Sequence, residues 1–489
     1  MSAKRTAIFN HGRCRQRGAA LLIMLVILVV GIAAVLVNSL TSSTVKIARQ
    51  EKTAAALAQA KDALIGYAIT YGDTHSGKVP GYLPCPDTDG NNGLQSEGVG
   101  EYSTSTCNSN PSSNQDVSVI GRLPWVTLDV STLRDGDGEC LWYAVSGTYK
   151  NNPPTGLMNW DTNGQFQAYA SDGTLLASQV VAVIFAPGAP LSGQNRSPDG
   201  TAPICGGNYT ASSYLDTGTV NSVNFNNADI ATGKFIQGTS GGSVNDQMVF
   251  ITRHDIWSAV QKRTDFQPRN PSNPSLPNFN NPLIKLTQQV ANCLVFYTSQ
   301  NYNCGWSCNN NSLPWPAPLS LGTNVLTDYY PNANYNDAAN LYAGRVPYDV
   351  GTSAGSHNSL STLMTSAICP GWASSVDPWW NNWKDHLFYG LAKSFQPTSG
   401  GGQSCGYWYS QCLSINGSGN YAAVVMFAGP RLSGQSRTDK SVVTDYLEAT
   451  NGTNFSGATG NENYNTAPAS STFNDVLCYI DQNLFVTCP

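Results

Sequence analysis

The sequence predicts an α+β protein in which a long N-terminal helix packs on an antiparallel sheet and a second helix-plus-sheet unit follows. Three observations support this prediction. An apolar run at residues 19–37 continues into an amphipathic segment that ends near Gly72. Short apolar runs bounded by turn residues alternate along residues 119–190, as the strands of an antiparallel sheet do. The motifs of the first half recur in the same order in the second half, which indicates a repeated structural unit.

The N-terminal apolar run has the length of a membrane span. Residues 19–37 carry no charge, and a helix of this length crosses a hydrocarbon core of about 30 Å. The residues after Val37 lack the small-residue cleavage site of a secretory signal, so we expect the helix to be retained. Five basic residues and no acidic residue precede the run: Lys4, Arg5, Arg13, Arg15 and Arg17. This charge distribution places the N-terminus in the cytoplasm and predicts export of the rest.

Gly18 stands directly between the basic residues and the apolar run. This arrangement resembles the type IV pilin and type II secretion pseudopilin family, whose prepilin peptidase cleaves after such a glycine. The resemblance implies cleavage between Gly18 and Ala19 and N-methylation of Ala19. It also implies insertion in the bacterial inner membrane with a periplasmic globular part, which can reach the cell surface or a pilus tip after assembly. The implied partners are other pilins or pseudopilins and the prepilin peptidase.

One residue departs from the family pattern. Major subunits of the family usually carry Glu as the fifth residue of the mature chain, where it neutralises the N-terminal amine of a neighbouring subunit; here that residue is Ile23. An unpaired ionised group in a membrane-like bundle is costly, so a chain without this carboxylate suits a minor or tip position better than a repeated shaft position. The alternative is a single-span anchor that holds a surface adhesin or binding protein outside any fibre.

The segment 41–72 continues the helix past the membrane. Apolar residues recur there at spacings of three and four, which predicts one helix face packed on a sheet: Leu57, Ala60, Leu64, Tyr67 and Tyr71. The resemblance to large pilin-like proteins extends over roughly residues 15–190. The predicted organisation is a leader at 1–18, a helix at 19–72 with its span at 19–40, a first pilin-like domain at 73–263, a Pro-rich linker at 264–282 and a second pilin-like domain at 283–489.

The internal repeat is visible in several motifs. The sequence LSGQNR at 191–196 recurs as LSGQSR at 432–437, and GRLP at 121–124 recurs as GRVP at 344–347. Five residues of the first half match five of the second at a constant offset of 230: Leu64, Tyr67, Leu83, Pro84 and Pro86 match Leu294, Tyr297, Leu313, Pro314 and Pro316. We therefore expect the same unit to be built twice, with the second copy carried by the first.

Composition and charge fit an exported globular protein. Only 12% of the residues are charged, and removal of the leader changes the formal net charge from −5 to −10. An acidic exported part has no basic patch of the kind that binds nucleic acid. Nucleic acid is therefore excluded from the predicted partners.

Cysteine usage indicates disulfide bonds. One of the 13 cysteines, Cys14, is in the leader, and the other 12 are Cys85, Cys107, Cys140, Cys205, Cys293, Cys304, Cys308, Cys369, Cys405, Cys412, Cys478 and Cys488. Even numbers in each half favour disulfides closed within each half, in an oxidising compartment. The pairing is open, although Cys478 with Cys488 would close a C-terminal loop. Cys304 and Cys308 have zinc-like spacing but no further ligands nearby.

A candidate calcium loop follows the first helix. Asp87, Asp89 and Asn91 alternate as oxygen ligands do, and Glu97 supplies a further carboxylate. The EF-hand pattern is not met, so the alternative is a set of ordinary turn residues. Calcium is the one cofactor that the sequence suggests, in a structural role.

No catalytic residue is predicted. Residues 351–355 have the Gly-x-Ser-x-Gly pattern around Ser353, and Asp377 and His386 follow in hydrolase order, but the required strand and helix do not flank the serine. We therefore expect a protein without enzyme activity.

Aromatic residues of the second half suggest a binding surface. Tyr407, Trp408 and Tyr409 lie between Cys405 and Cys412, where exposed rings would stack on carbohydrate or anchor a protein ligand. Trp380 and Trp383 precede a repeated strand and are predicted to belong to the core.

Overall fold

The computed structural model describes residues 17–88, 97–100, 107, 116–152, 157–239, 242–300, 312–321, 332–351, 360–369, 372, 375–397, 404–405 and 411–489. In residues 17–43 it describes the backbone and the side chains of Leu28 and Val29. Helices and largely antiparallel sheets alternate along the chain, which confirms the predicted α+β class.

The first helix, α1 (Arg17–Thr74), packs on the first sheet with the predicted face. Leu57, Ala60, Leu64 and Tyr71 are buried, and Tyr67 is half-buried against the same core. Among the residues described with side chains, no helix is both long and apolar enough to cross a membrane. The predicted span at 19–40 lies outside those residues apart from Leu28 and Val29, so the span stays a prediction.

The first sheet is built around one long strand. Its elements and the neighbouring hairpin are β1 (Val119–Arg122), β2 (Trp142–Val145), β3 (Phe166–Tyr169), β4 (Leu175–Ala186), β5 (Thr217–Val220), β6 (Val223–Asn226), β7 (Lys234–Ile236) and β8 (Gln247–Thr252). The sheet order is β1-β2-β4-β3-β7, with β8 also paired to β4, while β5 and β6 form a separate hairpin. Residues 180–186 of β4 are all buried, as expected for an apolar central strand covered on both faces.

A short helix and a hairpin connect the two sheets. The helix α2 (Arg253–Gln261) begins with a capping box between Thr252 and Asp255. The predicted linker contains the strands β9 (Arg269–Asn270) and β10 (Asn273–Pro277) and buries Phe266 and Asn278. These residues therefore pack against the rest of the chain.

The second unit starts at the predicted proline. The helix α3 (Pro282–Phe296) has Pro at its first position and is capped by the Asn281 side chain. The elements that follow are β11 (Ala343–Arg345), β12 (Asp349–Gly351), β13 (Leu360–Thr362), α4 (Asp377–Trp383), β14 (Leu387–Leu391), β15 (Leu413–Ile415), β16 (Ser418–Phe427), α5 (Ala449–Thr453), β17 (Asn463–Tyr464), β18 (Val476–Asp481) and β19 (Val486–Thr487).

The two large sheets have corresponding topologies. The second sheet has the order β11-β14-β16-β15-β17, with β18 on β16 and β19 on β18. The last two strands in each of these orders, β3 with β7 and β15 with β17, pair in parallel. Tyr143 donates to the Pro84 carbonyl at 3.2 Å, and Tyr389 donates to the Pro314 carbonyl at 3.0 Å. The repeated sequence motifs thus occupy equivalent places.

The repeated Gly-Arg motif is explained by a close backbone contact. A Cβ atom at Gly121 would lie 2.4 Å from the Asp87 carbonyl oxygen, and one at Gly344 would lie 2.1 Å from the Ala317 carbonyl oxygen. Both glycines sit where a strand pairs with the segment that follows the helix. Any side chain there would force the two segments apart.

Five disulfides are present among the described cysteines: Cys85–Cys107, Cys140–Cys205, Cys293–Cys369, Cys405–Cys412 and Cys478–Cys488. Each is closed within one half of the chain, as predicted, and the last closes the C-terminal loop. Cys304 and Cys308 lie outside the described residues.

Candidate functional site

The two halves meet at a contact that we call the junction. From the first half it contains residues 157–163 and Trp257; from the second it contains α4 with His386 and residues 427–437. The loop 157–163 lies between β2 and β3. Its turn is fixed locally, because the Asn159 side chain accepts a hydrogen bond from the Asp161 backbone N–H at 2.8 Å. This turn directs Trp160 and Asp161 at the second half.

Asp161 binds three side chains of the second half. Its Oδ2 accepts from Arg437 at 3.0 Å and is 2.9 Å from His386 Nε2, and its Oδ1 accepts from Arg431 at 3.1 Å. The Arg437 side chain is fully buried and the Asp161 side chain is 14% exposed. A buried ion pair with several hydrogen bonds tolerates the loss of a partner poorly.

Electrostatics fix the charge states at this contact. Burial would raise the pKa of Asp161, but Arg437, His386 and Arg431 together hold that pKa well below its usual range. Burial lowers the pKa of His386 to about 4, although Asp161 opposes this shift. At neutral pH the carboxylate is therefore ionised and the imidazole is neutral. The network then assigns the imidazole proton to Nε2, which donates to Asp161.

Aromatic rings surround the polar contact. Trp160 meets the Trp383 ring edge-on with 4.2 Å between centroids, and it lies 5.7 Å from Phe427. Trp257 also meets Trp383 edge-on, at 5.5 Å. Trp383 is completely buried, as the sequence predicted. Such ring pairs add to the free energy gained from burial alone.

Hydrogen bonds between side chains and backbone complete the contact between the halves. The Asn382 side chain accepts from the Met158 N–H at 2.6 Å, and the Asn382 carbonyl accepts from Asn159 at 2.8 Å. The two halves are therefore joined by aromatic, ionic and amide contacts together.

The internal repeat explains how the junction arises. The repeated motif places Arg196 and Arg437 equivalently: each lies about 4.9 Å over a tyrosine ring, Tyr214 or Tyr446, and donates to a glycine carbonyl at 2.7 Å. Arg196 pairs with Glu139 of its own half at 3.2 Å. In the second half the residue equivalent to Glu139 is Asp385, which binds Lys440 and Tyr335 instead. Arg437 instead forms its ion pair with Asp161 of the first half.

A buried acid pair is also duplicated. Asp246 accepts from Asn227 at 2.9 Å and from the Asp216 N–H at 2.6 Å; Asp475 accepts from Asn451 at 2.9 Å and from the Glu448 N–H at 3.0 Å. The pKa of Asp246 and that of Asp475 are raised well above the ordinary value. Burial is the larger cause, and the charge of the neighbouring acid is the second. Asp246 directly precedes β8 and Asp475 directly precedes β18, so the acid pair has the same place in both sheets.

The predicted calcium ligands are divided between described and undescribed residues. Asp87 Oδ2 accepts from the Gly98 N–H and the Tyr209 hydroxyl, each at 2.7 Å. Glu97 accepts from two backbone N–H groups, Ile204 at 2.6 Å and Cys205 at 2.8 Å. Asp89 and Asn91 lie outside the described residues. Within the described part, no three His, Cys, Asp or Glu side chains are grouped as metal ligands.

The remaining predicted sites fall largely outside the described residues. The aromatic surface Tyr407, Trp408 and Tyr409 is not described, and neither is Ser353 of the hydrolase-like pattern. Gly18 and Ala19 lie in α1, where the backbone alone is described. Asp377 accepts from the Trp372 indole at 2.7 Å, and His386 belongs to the junction.

Sequence reasoning missed the junction. Asp161 is far in the chain from Arg431 and Arg437, and the residues around Asp161 match no motif. One signal was present: Arg437 is the last residue of the repeated LSGQxR motif. No family model matches this chain, and neither a curated protein nor a solved structure is significantly similar to it.

Proposed function

We propose that the chain is a minor, tip-type pilin or pseudopilin that initiates or caps a type IV pilus or a secretion pseudopilus. The observation that carries this proposal is Gly18, which stands behind five basic residues and directly before the apolar run 19–37. The prepilin leader is thereby joined to a helix that continues onto a sheet, and the helix-plus-sheet unit is then used twice. The proposal includes insertion in the inner membrane and other pilins or pseudopilins as partners.

Two features favour the tip over the shaft. Ile23 stands where major subunits carry the carboxylate that pairs with a neighbour's N-terminal amine. The second half is also held against the first through Asp161 and the surrounding tryptophans, so the subunit presents one large two-part head. A head of this size suits the end of a fibre, where no further subunit has to pack above it.

The second half of the chain offers a place for ligand binding. The loop between β2 and β3 carries Trp160 and Asp161, which contact the second half. Its counterpart is the loop between β14 and β15, where the Cys405–Cys412 disulfide encloses Tyr407, Trp408 and Tyr409 in the sequence. We propose that this second loop contacts a protein or carbohydrate ligand.

Co-purification in the cell of origin tests the proposal. After in vivo crosslinking, we expect the chain to be recovered with the major pilin or pseudopilin, and we expect this recovery to require an active prepilin peptidase. Recovery that does not depend on the peptidase would contradict the proposal.

The second candidate function is a membrane-anchored surface adhesin that does not enter a fibre. The aromatic sequence at 407–409 favours it, because such residues serve binding without any assembly. This candidate predicts that the chain stays in the membrane fraction with its leader intact and that substitution of Trp408 abolishes ligand binding.

A further inference from the structure

The internal repeat creates two corresponding grooves. Each groove lies between a helix that packs on the sheet, α1 or α3, and the end of the central strand, β4 or β16. The proximal groove, of about 250 Å³, is lined by residues that include Lys46, Arg49, Gln50, Ala186, Leu191 and Gln247. The distal groove, of about 400 Å³, is lined by residues that include Trp160, Leu283, Phe427, Leu432, Asn474 and Val476.

Strand pairing shows that the two grooves correspond. Ala186 pairs with Gln247 at the end of β4, and Phe427 pairs with Val476 at the end of β16. Beside each pair an asparagine side chain donates to the chain after the central strand: Asn245 to the Ala189 carbonyl at 2.7 Å, and Asn474 to the Pro430 carbonyl at 2.6 Å. Leu191 and Leu432 open the same repeated motif.

The distal groove is contacted by another domain. Trp160 of the first half lies against Phe427, and the adjacent Asp161 binds Arg437 and Arg431 beside the groove. The contacting segment is the loop between the second and third strands of a helix-plus-sheet unit. In this chain, the first unit therefore contacts the second beside its distal groove, through an aromatic residue and the acidic residue that follows it.

The proximal groove has the same position but a different lining. Ala186 stands at the position of Phe427 and is itself buried, so the apolar side chains that the groove presents are Ala189 and Leu191. Arg49 binds Asp137 at 2.9 Å, and Gly136 donates to the Thr53 hydroxyl, so the loop 135–138 forms one wall. Lys46 is exposed and has no ion pair among the residues that the structure describes. The groove thus offers a small apolar patch, formed by Ala189 and Leu191, and the positive charge of Lys46.

We infer that the proximal groove binds the loop between the second and third strands of a neighbouring pilin-like subunit, with an apolar side chain against Ala189 and Leu191 and a carboxylate at Lys46. This inference rests on the proposed function. The contact joins the groove of one unit to a strand-connecting loop of another, so it is heterologous, and it would hold a tip subunit on the subunit below it. The charge at Lys46 mainly serves to select and orient the partner.

Site-specific crosslinking in the full-length chain tests the inference. A photoreactive residue at Gln50, in cells that make the filament, is expected to give an adduct with another pilin-like subunit, mapped by mass spectrometry to that strand-connecting loop. Lys46→Glu is expected to reduce this adduct about tenfold through like-charge repulsion. Lys285→Glu, an exposed lysine at the start of α3, is the matched control and is expected to leave the adduct unchanged.

The outcomes separate this inference from the proposed function. A subunit that is cleaved and recovered with the filament, but whose position 50 crosslinks only to lipid or to no protein, would overturn the inference alone. Equal adduct yields from Lys46→Glu and Lys285→Glu would also overturn the inference alone. An uncleaved chain that is absent from filaments would overturn both, and leader processing measured on the same samples distinguishes the two failures.

Discussion

Asp161 joins the two halves through three side chains of the second half. Its carboxylate is ionised and largely buried, and it binds Arg437, Arg431 and His386. Arg437 keeps its carbonyl partners within the second half, but its charge is matched from the first half. Removal of the carboxylate would leave a buried guanidinium without its counter-charge, which costs far more than the loss of a surface ion pair.

Replacement of Asp161 by Asn should destabilise the folded chain. We expect a loss of about 3–5 kcal/mol in the free energy of unfolding, because the charge of the buried Arg437 is left unpaired. Denaturant unfolding of the detergent-solubilised protein measures this loss. Asp62→Asn, on the exposed face of α1, is the matched control and should change stability by no more than about 0.5 kcal/mol. Equal effects of the two substitutions would show that Asp161 is not important for the contact.

His386 should make stability fall on mild acidification. Its pKa is lowered to about 4 in the folded state, below the value of about 6.5 in an unfolded chain, so the unfolded chain binds the proton more tightly. The stabilising contribution is therefore complete above pH 6.5 and is lost as the pH falls toward 4, at up to about 1.4 kcal/mol per pH unit.

A comparison with His386→Gln isolates this effect. The glutamine amide can donate to Asp161 but does not titrate, so the variant should lose less stability between pH 6.5 and pH 4.5. The raised pKa values of Asp246 and Asp475 act in the opposite direction, but they are common to both proteins and cancel in the difference. Parallel stability curves for the two proteins would exclude this role of His386.

The helices and central strands were the most predictable elements, because their signals are local. Pro282 behind the capping Asn281 marks the start of α3, and the apolar run before the LSGQxR motif marks the end of β4 and of β16. The loop at 157–163 carries no such signal. Its conformation depends on Asn159 within the loop, but its position depends on a partner more than two hundred residues away.

The glycine that precedes the arginine in each repeated motif lies against backbone, and substitution by alanine tests this contact. Gly121→Ala and Gly344→Ala should each destabilise the protein by about 1–3 kcal/mol, because the added methyl group collides with backbone. Gly66→Ala, inside α1, has open space around the added methyl and should stabilise by about 0.5–1 kcal/mol. Thermal unfolding of the three variants measures the difference. A neutral result at both Gly121 and Gly344 would show that these close contacts do not constrain the fold.

At the scale of the whole molecule, the repeat could be recognised from the sequence, but the arrangement of its copies could not. Matched motifs establish that two units share a topology, and the strand orders agree with this. The way in which the units meet depends on where they differ. Asp385 binds Lys440 within its own half, whereas Glu139 binds the repeated arginine, and no local pattern shows that Arg437 must pair with Asp161.

The intact mass of the protein extracted from membranes, with and without an active prepilin peptidase, tests the central claim most directly. With the peptidase, we predict a chain that begins at Ala19 with a methylated amine and has the mass deficit of its disulfides. Without the peptidase, we predict the same chain with Met1 to Gly18 retained. A mass that includes the leader in both cells would contradict the pilin assignment and would favour a surface protein held by a single uncleaved span.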